Sequence, residues 1–138
     1  MKFIRVALGV LSAVAVGLCF QGCVTGFRAA NSGVTTAANY NHGNLVPMTT
    51  FSLNDIIRFY VSVTWDDVTQ EPGWEVVSWN WYKGGKIVGH FENDRAYFKG
   101  APNTRILTQP ASALGTGHFT AECLINGKQI AQAEFDIQ

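Results

Sequence analysis

The chain has 138 residues with ten basic, ten acidic and three histidine side chains, and 47% of it is apolar against only 14% charged. Without a basic excess there is nothing to neutralise a phosphate backbone, which argues against a nucleic-acid partner. Few charges and plentiful Gly, Asn and Thr suit a turn-rich β protein better than a helical one.

Residues 1–22 stand apart from the rest. Lys2 and Arg5 make a short positive start, residues 6–20 are almost purely apolar, and Gly22 precedes Cys23. The apolar run is shorter than the ~20 residues a spanning helix needs. It therefore reads as a cleaved export signal. The Gly22-Cys23 end resembles the lipobox of bacterial lipoproteins, although Phe20 and Gln21 are bulkier than the residues that class favours. The resemblance implies a diacylglyceryl group on the Cys23 sulfur, cleavage before Cys23 and, often, an acylated amine. Two or more acyl chains suffice for stable anchoring, so the expected partner is a membrane, reached through lipid and not spanned. The sorting rule of that class retains proteins with Asp after the Cys at the inner membrane. Val24 stands there, which implies a cell-envelope address at the outer membrane. The mature chain, residues 23–138, keeps eight basic against ten acidic side chains. Cys19 leaves with the signal and Cys23 is consumed, so Cys123 is left alone and no disulfide is expected. Cys123 is expected in a strand, buried as a small apolar residue.

Residues 23–50 are rich in Gly, Asn, Ala, Thr and Ser and hold no sustained periodicity. They read as a flexible tether reaching on the order of 25–30 Å. Leu45-Val46-Pro47 is a candidate edge segment, since Pro is tolerated there.

Residues 51–138 read as one domain. Phe59, Val61, Val63 and Trp65 alternate with mixed residues, as in a half-buried strand. Val77, Trp79 and Trp81 continue the pattern, and Gly84-Gly85 suggests a two-residue hairpin with Trp81 opposite Val88 and Trp79 opposite His90. Residues 96–99 and 104–109 are short strand candidates. Phe119, Ala121, Cys123 and Ile125 alternate, as do Ala131, Ala133, Phe135 and Ile137. All eight numbers are odd. A three-residue loop, 126–128, keeps both rows on one face by pairing 125 with 129 and 119 with 135. Six or seven such strands imply an all-β antiparallel two-sheet sandwich. The run from Trp79 to Lys86 is similar to an immunoglobulin-like strand and its turn, and Gly117 to Lys128 to the last hairpin of such domains. Phe119 stands where many of them place an aromatic corner. The resemblance implies the fold and no particular activity.

No Gly-x-Ser-x-Gly elbow, phosphate loop or H-E-x-x-H motif occurs. His90 and His118 are too scattered for a catalytic set, and nothing near His118 and Glu122 completes a zinc site. No catalytic residue, metal or cofactor is expected. Asp66, Asp67 and Glu71 cluster in one loop beside Trp74, the aromatic best placed for a partner contact, although packing and solvation explain these residues too. The expected function is a lipid-anchored envelope binding or accessory protein with a protein partner. The alternative is an inhibitor or immunity protein acting on a cell-wall hydrolase or toxin.

Overall fold

Apolar residues at every second position drive the chain into strands, because one pleated face then collects them all. The computed structural model describes residues 26–36 and 45–138. The expected signal at 1–22, Cys23 and His42 lie outside the described residues. Within them run β1 (Arg28–Thr36), β2 (Thr50–Phe51), β3 (Ile56–Thr64), β4 (Gly73–Lys83), β5 (Lys86–Phe98) and β6 (Asn103–Pro110). The one-turn helix α1 (Ala111–Leu114), β7 (Gly117–Ile125) and β8 (Lys128–Ile137) follow. One sheet has the order β1-β3-β6 and the other β2-β8-β7-β4-β5. Neighbours run antiparallel except β2, which lies parallel to β8. The expected all-β two-sheet sandwich is the fold, and Cys123 is a free, buried thiol.

The odd-numbered rows make the core. Phe59 of β3 meets Trp79 of the opposite sheet edge to face, with ring centroids 5.4 Å apart. Trp81 reaches Phe135 at 5.7 Å, and Phe135 stacks on Phe119 at 5.5 Å and takes Phe51 edge-on at 5.6 Å. Such pairs contribute about 0.5–1.5 kcal/mol each beyond their area burial. Ile57, Val61, Val63 and Cys123 fill the space between the rings.

Three expectations need correction. First, β1 stands inside the stretch read as tether. It pairs with β3 from Arg28↔Thr64 to Thr36↔Ile57. The folded unit therefore takes in residues 26–36 and 45–50 as well as 51–138. β1 carries few large residues because its work is backbone pairing. Gly33 also leaves room for neighbours: a Cβ there would lie 2.8 Å from the Tyr60 hydroxyl and 2.9 Å from Pro47. Residues 45–48 cover Tyr60, with Met48 N–H donating to Val34 O at 2.7 Å.

Second, the Gly84-Gly85 turn is the two-residue form, with φ of +58° and +76°. A bulge follows it at once, so Trp81 faces Gly89 and Trp79 faces Phe91. Val88 is the extra residue. The close approach needs Gly89, since a Cβ would come within 2.8 Å of the Trp81 ring.

Third, the last hairpin uses the tight turn Asn126-Gly127, with φ of +51° and +80°, and pairs Ile125 with Lys128. The two apolar rows still share a face, because a bulge between Cys123 and Leu124 on the ladder restores odd with odd, giving Cys123↔Ala131 and Phe119↔Phe135. The extra residue sits in the ladder instead of the loop.

Candidate binding face

The even-numbered residues of the central strands point away from the core, onto the outer face of the five-stranded sheet. The pairings Asn80↔His90, Asn80↔Glu122 and Glu122↔Gln132 align one rung across β5, β4, β7 and β8. Along β5, β4 and β7 its side chains are joined. A carboxylate only accepts, so the Asn80 amide nitrogen faces Glu122 Oε1 at 2.9 Å, and Tyr82 donates its hydroxyl to the same oxygen at 2.9 Å. That leaves Asn80 Oδ1 toward His90 Nδ1, 2.6 Å away, and requires the proton on Nδ1. His90 Nε2 lies 4.0 Å from Glu92 Oε2. The hydrogen bond to Glu122 holds the Tyr82 hydroxyl above its usual range, with burial and the same carboxylate's charge adding to it. Tyr82 thus stays a donor at neutral pH.

Beside this rung runs a shallow groove of ≈ 440 Å³, open to solvent. Tyr82, His118, Thr120, Glu122, Gln132 and Glu134 line it. His118 Nδ1 lies 2.8 Å from Asp136 Oδ1. The groove offers fixed acceptors and donors on rigid strands, an arrangement suited to recognising a polar ligand or a protein surface. No group of three or more His, Cys, Asp or Glu able to hold a metal occurs among the described residues.

The residues singled out in the sequence lie elsewhere, at the end of the sandwich formed by the β3–β4 loop. Asp66 accepts from the Arg28 guanidinium at 2.7 Å. Asp67 caps its own turn, accepting from Thr69 N at 3.1 Å and Thr69 Oγ1 at 2.5 Å. Glu71 accepts from the Tyr97 hydroxyl. Two of the three acids are thus committed to pairs and the third to a turn. Trp74 is 65% exposed and stands edge-on over Tyr97 with centroids 4.9 Å apart. Trp79 and Trp81 are core residues, as their shared strand face implies. His90 and His118 reach the same outer face, each beside its own carboxylate. Asn80, Tyr82 and Glu122 were not foreseen as a unit. Their even numbering was the available signal, but nothing in the sequence says that β4 lies beside β7.

No family model matches the chain, and no curated protein does. Solved structures do. An immunoglobulin-like protein of Pseudomonas aeruginosa aligns with a TM-score of 0.54 at 14% identity, covering 85% of this chain and 100% of that one. The fold is immunoglobulin-like. A Pseudomonas fluorescens alkylpurine DNA glycosylase, bound to DNA containing an abasic site analogue, aligns at 0.52 and 15% identity over 81% of this chain. This chain spans only 30% of that enzyme. At these identities the likeness concerns architecture, and an immunoglobulin-like sandwich hosts many unrelated functions.

Proposed function

We propose that the protein is a lipid-anchored, non-catalytic binding or accessory component of the bacterial cell envelope. On this reading Cys23 carries the lipid, Val24 directs the protein to the outer membrane, and the polar face of the five-stranded sheet meets an envelope protein. The observation that carries the binding role is the ordered rung His90–Asn80–Glu122 with Tyr82, in which polar side chains are held by one another on the solvent side. A half-buried network that is already oriented loses little freedom when a partner arrives. The immunoglobulin-like fold supports a binding role without specifying a partner.

Photo-crosslinking in intact cells tests this reading. A photoreactive residue at Thr120 or Glu134, in the groove, should give a discrete adduct with an envelope component. One at Thr108, exposed on the other sheet, should not. Glu122→Ala should cut the Thr120 adduct about tenfold or more, the equivalent of a charged hydrogen bond of ~1.5–3 kcal/mol. Equal labelling from groove and control positions would refute the assignment of the face.

A further inference from the structure

We infer that the pole formed by the β3–β4 loop sits on a zwitterionic phospholipid surface, with Trp74 and Tyr97 in the headgroup layer. The inference rests on the lipid anchor proposed above and adds an orientation to it. The described residues begin at this pole. Phe27 packs against Trp65 and Phe98, with centroids 6.2 and 5.7 Å away, and Arg28 is paired with Asp66. Only residues 24 and 25 separate Cys23 from Gly26. Three peptide steps span at most about 11 Å. The interfacial layer on each side of the hydrocarbon core is itself roughly 5–8 Å thick. A lipid on Cys23 therefore holds this pole against the bilayer, where a 25-residue tether would have let the domain swing freely.

The exposed side chains of the same pole match that location. Trp74 is 65% exposed, Val68 55% and Tyr97 40%. Phe98, the strand neighbour of Tyr97, is the ring that Phe27 touches, which ties the aromatic pair to the point of chain entry. Trp and Tyr favour the membrane interface because an apolar ring and a polar tip suit a layer that is half wet. The charges favour zwitterionic over anionic lipid because both signs meet here: Asp66 pairs with Arg28, Asp67 and Glu71 lie in the same loop, and the Arg105 guanidinium donates to the Tyr97 carbonyl. The polar rung lies on the side of the sandwich, so this orientation leaves it open to a partner.

The test uses the full chain expressed with its own leader, purified in detergent and reconstituted into phosphatidylcholine vesicles. Ordinary vesicles are compared with vesicles brominated in the upper acyl chain. Of the four tryptophans, Trp65, Trp79 and Trp81 are buried, so short-range quenching reads Trp74. The expected result is a loss of emission on brominated vesicles that disappears in Trp74→Phe. A protein shown by mass to be lipidated at Cys23, bound to vesicles and unquenched would overturn the docking alone and leave the pole to a protein partner. A bare Cys23 would overturn the anchor and the docking with it.

Discussion

At the scale of single residues, Cys123 shows how position decides chemistry. It lies on β7 opposite Trp79 and Ala131, wholly buried. Burial pushes its thiol up to about 12, and the neighbouring Glu122 carboxylate adds to the rise. The thiolate is the nucleophile, so this side chain is inert at neutral pH. In a chain starting at residue 26, a thiol reagent should titrate nothing in the native state and one group in guanidinium. The folded value lies above the unfolded one of about 9, so the associated stability is complete below pH 9 and falls as pH rises from about 9 toward about 12. Burial raises Tyr60 in the same sense. The melting temperature should therefore fall in alkali, and Cys123→Ala should flatten that fall while costing about 1 kcal/mol at pH 7. A native thiol that reacts at neutral pH would contradict this burial.

At the scale of elements, the β7–β8 turn is joined to a third strand. Asn126 N–H donates to Val76 O at 2.8 Å, its side-chain oxygen accepts from Val76 N at 3.1 Å, and its amide donates to Glu75 at 2.7 Å. Asn126→Ala should cost about 1–2 kcal/mol in urea unfolding, since it removes two hydrogen bonds, one of them to a carboxylate. Gly127→Ala should cost about 1–2 kcal/mol through its left-handed backbone alone, because open space surrounds the position. Strand faces were legible in the sequence at this scale: the odd rows of β3, β4, β7 and β8 are the core. Register beside the turns was not, because the bulge that leaves Val88 unpaired is marked only by Gly89, and a single strand glycine fits either a bulge or a close approach. Nor was β1 legible. Its residues, Arg-Ala-Ala-Asn-Ser-Gly-Val-Thr-Thr, hold one buried large apolar side chain, Val34, and its place depends on the edge of β3. The binding face failed to appear for a related reason: its members come from strands whose adjacency is set by the whole topology.

At the scale of the molecule, the correction at β1 redraws both the domain and its attachment. A fragment of residues 51–138 lacks the strand that covers one edge of β3, so it leaves that edge open to aggregation. A fragment of 26–138 should give a single cooperative thermal transition, and 51–138 should give none or precipitate. Cooperative unfolding of the shorter fragment would show that β1 is dispensable. Among the described residues no helix is long and apolar enough to cross a membrane, and the proposed attachment rests on lipid at Cys23. Mass spectrometry of the amino-terminal peptide from membrane-extracted protein is the most direct test. The account predicts a peptide beginning at Cys23 and carrying a diacylglyceryl thioether. An unmodified peptide, or one beginning at another residue, would contradict it.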